Sequence, residues 1–376
     1  MAQKILTAKD DYVELGQWFE VNRCRKLMLV CDDSIRYMEG FSRYLADVEK
    51  GGISFVLFRG FQSNPVYESV VKGVEFFRAE GCDSIMAVGG GSAMDVAKCI
   101  KLFANLPGDG AEGAWLRAEQ TPNEIPFLAM PTTAGTGSEA TRYAVIYYQG
   151  AKQSVTSASF IPDAVLMDPG ALKTLPLYQR KATMCDALCH ALESFWSINS
   201  TEESRVYSRA AIEGVLRFMD GYLENTEEGN AGMLLAAHTA GKAINITQTT
   251  AGHAMCYKIT SLFRAAHGHA AMLCNRVLFP WMIQNTDNCI DPRGESYLKK
   301  VLYDISDAMG CKTPEQAAEK LEALFMTLEL AVPTATVEQF KTLQSSVNPN
   351  RLRNFPVALD LYTIDALYHK ILNGEA

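Results

Sequence analysis

The chain has 376 residues, 48% of them hydrophobic, enough to bury more than one core. Its net charge of -8 and the lack of any dense Lys/Arg run argue against a nucleic-acid surface. No segment approaches the roughly 18 uninterrupted apolar residues of a membrane span.

The start, "MAQKILTAKDDYVELG", carries charges where a signal peptide needs its apolar run, which speaks against export. The ten cysteines are scattered without paired spacing and read as reduced thiols. The expectation is a soluble, cytoplasmic protein. Short apolar runs follow in order: "KLMLVCDD", "SFVLFRG", "SIMAVGGG", "IPFLAMPTT" and "AVLMDPG". Each closes in Gly, Pro, Asp or Thr and reads as a buried strand. Helical patterns such as "PVYESVVKGVEFFRAEG" lie between them. That alternation predicts a parallel sheet with helices on both faces, binding ligands beyond the strands' carboxyl ends. "LPGDGAEGAW" (106–115) reads as a surface loop. From about Leu175 onward the strand signal fades, and "ESRVYSRAAIEGVLRFMDGYL" and "PEQAAEKLEALFMTLEL" repeat apolar residues at helical period. The fold class is therefore an α/β, Rossmann-like domain over residues 1–174, then a mainly helical domain over 175–376.

"MAVGGGSAMDVAK" runs from a strand through Gly89, Gly90, Gly91 and Ser92 into a helix, a shape suited to a pyrophosphate. A dinucleotide fingerprint would have a third glycine where Met94 stands, and Ser92 with Asp95 could equally form a capping box. "MPTTAGTGSEATRYAVI" gathers Thr132, Thr133, Thr136 and Ser138 among glycines, supplying hydroxyls and backbone donors. Asp32, closing "LMLVCDDS", is placed to accept hydrogen bonds from a ribose and to repel a 2′-phosphate, favouring NAD over NADP.

The stretch "CDALCHALESF" puts Asp186 and His190 one helical turn apart. They are either buried polar filler or two ligands of one metal. Among the six histidines, His253 and His267 can add two nitrogen ligands. One carboxylate with three imidazoles suits iron, zinc or nickel without choosing among them.

Together "GGGSAMDVAK", "PTTAGTGSEAT", "PDAVLMDP", "DALCHALES", "GHAM" and "HG" resemble the iron-containing alcohol dehydrogenases, in order along nearly the whole chain. The resemblance implies a nucleotide domain, a helical metal domain and a cleft between them. It implies metal ligands Asp186, His190, His253 and His267. The implied cofactor residues are Asp32, Asn64, Gly89, Gly90, Gly91, Ser92, Asp95, Thr132, Thr133, Ser138 and Lys152. The implied cofactors are NAD(H), with NADP(H) left open, and iron, with zinc or nickel as alternatives. A homodimer is a family-level expectation, with neither nucleic acid nor membrane as partner.

The chain departs from the family where many members have a further histidine, here Tyr257. His269 is either a substitute proton relay, a substrate contact or a packing residue. Arg142, Lys258 and Arg264 suggest a cationic pocket wall, against the alternative of solvated surface residues. With Thr249 and Thr250 they point to a small anionic aldehyde. "HAMCYKITSLFRAAHGHA" is similar to the phosphonoacetaldehyde-reducing branch of the family. Reduction of succinic semialdehyde, or plain short-chain alcohol oxidation, are the alternatives. A dehydroquinate synthase-like lyase would need more basic residues, and a non-catalytic sensor would not need intact ligands.

Overall fold

The computed structural model describes residues 3–119, 121–347 and 349–373. They form two compact units. One comprises the chain up to Thr133 with Gly137–Leu175; the other comprises Ala134–Thr136 with the chain from Pro176 onward.

The first unit is an α/β layer structure. Its strands are β1 (Lys4–Thr7), β2 (Lys26–Cys31), β3 (Ser54–Phe58), β4 (Ser84–Gly89), β5 (Phe127–Pro131), β6 (Tyr143–Tyr148), β7 (Ala151–Thr156) and β8 (Ala164–Met167). Its helices are α1 (Val13–Val21), α2 (Glu39–Lys50), α3 (Tyr67–Ala79), α4 (Gly91–Phe103) and the short α5 (Ala114–Arg117). Six strands pair in parallel in the order β1-β8-β5-β4-β2-β3. β4 and β5 are buried at every position, which is why they read as unbroken apolar runs. One core layer packs around Met28, Ile85, Ala87 and Phe127 with α3 and α4; the other packs around Leu27, Leu29, Met86 and Val88 with α1 and α2.

All five expected strands are present. Two features escape the apolar pattern. β1 is an edge strand paired only with β8 and leaves Ile5 46% exposed. β6 and β7 form a separate antiparallel hairpin whose two turn residues, Gln149 and Gly150, both have positive φ, as a primed turn requires. The 106–115 segment is not a plain surface loop. It folds over Trp115, which is 1% exposed and donates from Nε1 to Pro107 O at 3.0 Å.

The second unit is helical: α6 (Leu177–Trp196), α7 (Glu202–Leu223), α8 (Glu227–Thr247), α9 (Ala251–Phe263), α10 (His267–Gln284), α11 (Glu295–Ala308), α12 (Pro314–Thr327), α13 (Val337–Ser345), α14 (Pro349–Leu352) and α15 (Leu361–Asn373). α6 is the central element, buried along most of its length and packed by α7, α8 and α10. Among the described residues no helix is long and apolar enough to cross a membrane. All ten cysteines are free thiols.

Candidate metal centre and nucleotide turn

In the helical unit, ligand atoms of Asp186, His253 and His267 all lie within 4.8 Å of one another. They come from α6, α9 and α10. The Asp186 Oδ1 to His253 Nε2 distance is 3.4 Å. His190 flanks this trio, with Nε2 3.9 Å from Asp186 Oδ1 and its ring stacked on His253 at 4.5 Å. The one-turn spacing of Asp186 and His190 therefore does put both on one face of α6.

α10 reaches α6 only because residue 268 is glycine. A Cβ there would stand 2.0 Å from Ala182 O and 2.5 Å from Asp186 Cβ. Gly268→Ala must push His267 away from Asp186, at an overpacking cost of about 1–3 kcal/mol. The expected outcome is a lower Tm together with reduced metal content. An unchanged metal content would mean that this close approach does not set the ligand geometry.

Glu193, which the sequence reading did not single out, anchors the group. Its side chain is 0% exposed. Oε1 lies 2.5 Å from His253 Nδ1 and accepts from Asn275 Nδ2 at 2.9 Å. Oε2 accepts from Thr250 N at 2.6 Å and Thr250 Oγ1 at 2.8 Å, so this carboxylate also caps the start of α9. An ionised carboxylate only accepts, so His253 carries a proton on Nδ1 and presents Nε2 to Asp186.

Burial opposes charge throughout this group, yet the partners of the carboxylates outweigh it. Burial pushes the Asp186 carboxyl up, but the His190, His253 and His267 imidazoles hold it well below its ordinary range. Burial works against Glu193 too, but His253, Asn275 and Thr250 keep it down at about 2. Burial disfavours the charged His253, whereas Glu193 and Asp186 push it up to about 9. Burial brings His190 below its ordinary value, which leaves it a neutral donor. Two buried carboxylates among imidazoles call for positive charge, and the carboxylate–imidazole donor set fits a divalent transition metal. When bound, such an ion supplies Lewis acidity toward a carbonyl oxygen.

In the α/β unit, the glycine turn joins β4 to α4. The helix begins at Gly91 with Gly90 at the N-cap and no side-chain cap, so Ser92 and Asp95 do not form a capping box. The helix starts two residues earlier than that arrangement needs, which turns Asp95 toward the second loop. There Asp95 accepts from Ser138 Oγ and from Val145 N, both at 3.0 Å. Thr132 N donates to Gly89 O at 3.0 Å, and Thr133 Oγ1 lies 3.3 Å from where a Cβ on residue 90 would stand. Lys98, 0% exposed, fastens the loop by donating to Ser138 O, Ser138 Oγ, Thr141 Oγ1 and Tyr143 O. Burial lowers Lys98 to about 8, with Asp95 and Glu139 acting the other way. The two sequence motifs thus form one surface at the ends of β4 and β5. The charge of Lys152 bears on Asp95, whereas Asn64 sits exposed at positive φ ahead of α3.

An iron-containing alcohol dehydrogenase profile matches residues 2–169, and the C-terminal profile of the same family matches residues 181–345. The chain belongs to the iron-containing alcohol dehydrogenase family. It is 31% identical to a phosphonoacetaldehyde reductase of Streptomyces viridochromogenes, over 80% of this chain and 79% of that one. It is 29% identical to alcohol dehydrogenase 4 of Schizosaccharomyces pombe, over 86% of this chain and 76% of that one. A sulfoacetaldehyde reductase from Bifidobacterium kashiwanohense, solved with NAD+, shares its fold at TM-score 0.87 and 24% identity, covering 99% of this chain and 98% of that one. The protein is thus a metal-dependent, NAD(P)-linked alcohol/aldehyde oxidoreductase.

The remaining residues singled out in the sequence separate clearly. Tyr257 stacks on His267, with ring centroids 5.5 Å apart. Burial pushes its phenol well above the ordinary value, so it stays protonated. His269 Nδ1 pairs with Tyr178 OH at 3.1 Å and its Nε2 with Ala331 O at 2.9 Å, so both ring nitrogens are engaged in bracing α10. Arg264 is an exposed residue in left-handed conformation at the C-cap of α9, where it ends the helix. Lys258 lies partly exposed on α9. Arg142, exposed at the start of β6, donates from Nε to Tyr143 OH at 3.2 Å. A cation that the sequence reading overlooked is Arg351 on α14. Its Nη1 lies 3.3 Å from Gln248 Oε1 and 3.5 Å from Thr249 Oγ1, and its charge bears on Tyr257.

Proposed function

We propose that this enzyme reduces a small anionic aldehyde to its primary alcohol with NADH, phosphonoacetaldehyde to 2-hydroxyethylphosphonate being the best-fitting case. The observation that carries this reading is Arg351. Its guanidinium stands against Thr249 at the head of α9 and acts on Tyr257, the phenol stacked on His267. A phosphonate paired with that guanidinium keeps its aldehyde end within a short reach of the metal-binding side chains. Arg142, in the α/β unit, is the other guanidinium whose chemistry suits an anionic substrate. The 31% identity to a phosphonoacetaldehyde reductase supports the choice, and the 29% identity to alcohol dehydrogenase 4 keeps a plain alcohol as the second reading.

In this reading Asp186, His190, His253 and His267 hold the metal, and Glu193 fixes the His253 ring so that Nε2 alone faces it. Tyr257, kept protonated by burial, donates a hydrogen bond toward the oxygen on which charge develops. The surface formed by Gly89–Ser92, Thr132, Thr133 and Ser138 receives the nucleotide, with the pyrophosphate at the uncapped start of α4. The cofactor contributes the hydride; the chain contributes position and field.

NADH consumption with phosphonoacetaldehyde, succinic semialdehyde and propionaldehyde tests the reading. The expected result is a kcat/KM for phosphonoacetaldehyde at least about tenfold above that for propionaldehyde, a preference of the size one charged contact supplies. Equal values for the two would establish the plain alcohol dehydrogenase instead.

A further inference from the structure

If the α/β unit is the nucleotide site, as proposed above, the strand ends beside its glycine turn decide which nucleotide it accepts. At the carboxyl ends of β4, β2 and β3 three positions stand in a row. The register pairs Cys31 with Val88 and Val30 with Phe58. Asp32 therefore follows β2 directly beside Gly89, while Arg59 follows β3 on its other side. The Asp32 carboxylate leans toward the glycine turn, its Oδ2 3.5 Å from where a Cβ on residue 89 would stand. Arg59 leans toward β2. Its Nη1 is 3.9 Å from Asp33 Oδ1, and its positive charge bears on the Cys31 thiol at the end of β2. Asp33 holds a second guanidinium, Arg36, at 3.1 Å. The Arg59 side chain remains 36% exposed.

In a sheet of this kind the adenosine ribose sits at the end of the strand next to the glycine-turn strand, with its hydroxyls against the acid there. A phosphate on the 2′-oxygen would meet the Asp32 carboxylate first and the Arg59 guanidinium next to it. A guanidinium is the side chain best matched to a phosphate, through forked donation. Here it is present but occupied.

We propose that Arg59 is a latent receptor for the 2′-phosphate of NADP(H), held out of use by Asp32, which repels the phosphate, and by Asp33, which pairs with the guanidinium. Cofactor preference is then set by two adjacent acids masking a cation, and not by the lack of one. Removing Asp32 relieves the repulsion, so that the phosphate can approach and compete with Asp33 for Arg59.

Dissociation constants for NADH and NADPH, read from quenching of protein fluorescence without any aldehyde, test this in wild type, Asp32→Gly and Asp32→Gly/Arg59→Ala. Asp32→Gly should tighten NADPH by about tenfold or more, the scale of one charge-assisted contact. Adding Arg59→Ala should cancel most of that gain, while its NADH affinity stays within about threefold of that of Asp32→Gly itself and its circular dichroism matches wild type as the check on folding. Equal NADPH affinity in the single and double variants would overturn the proposal, since relief of repulsion would then explain the whole gain. No gain in Asp32→Gly would overturn it as well. Failure of the wild type to bind either nucleotide is a separate result, and would overturn the nucleotide reading itself.

Discussion

His253→Ala should purify with about a tenth or less of the wild-type metal and with almost no turnover, because it removes a ligand nitrogen and opens the group around Asp186. The sharper variant is Glu193→Gln. It preserves shape and burial but replaces the carboxylate that accepts from His253, Asn275 and Thr250. The amide must turn donors toward groups that already donate, and His253 loses the acceptor that fixes its ring. Metal affinity, measured by competition with a chromogenic chelator, should fall by about 10- to 100-fold. Part of the damage will appear as lower stability, since a buried network is left half satisfied. Wild-type affinity in Glu193→Gln would show that Glu193 only caps α9.

Arg351→Ala should cripple turnover of an anionic aldehyde and spare an uncharged one. Removing a charge-assisted hydrogen bond at this partly buried position costs roughly 1.5–3 kcal/mol, or about 10- to 150-fold in kcat/KM. Phosphonoacetaldehyde should show that drop, and propionaldehyde almost none. The same pair of substrates tested on Arg142→Ala asks separately whether that guanidinium discriminates between the two aldehydes. Parallel drops on both aldehydes would make Arg351 a support for the α8–α9 turn through Gln248 and Thr249, and neither variant discriminating would remove the case for an anionic substrate.

Much of this was written in the linear pattern. Five strands declared themselves because both faces of the central sheet are covered, and β1 and the β6–β7 hairpin did not because they are half exposed. Asp186 and His190 were legible from helical spacing. Glu193 obeys the same spacing, seven places after Asp186 and so on the same face within about 20°, yet a glutamate in a helix reads as solvent-facing until its burial is known. His269 stands two places after His267 and thus about 200° round α10 from it. Arg351 gave no local signal at all. It reaches Thr249 only because α14, about a hundred residues downstream, packs on α9. The close approaches at Gly268 are similarly silent, since a glycine's neighbours are known only once the helices have met.

Ala134, Gly135 and Thr136 come from the first half of the chain but fold as part of the second unit. Gly135 lies so close to α6 that a Cβ on it would be 2.8 Å from the Thr183 carbonyl oxygen, and Ala134 is wholly buried. The gene therefore cannot be divided at one codon into two self-sufficient proteins. A polypeptide starting at Pro176 would leave the seat for that tripeptide bare along the helix that carries Asp186. One ending at Leu175 would hold out three residues with nowhere to go. Recombination with other nucleotide domains would have to carry the loop and its seat together, which ties the evolutionary fate of the two halves to a single tripeptide.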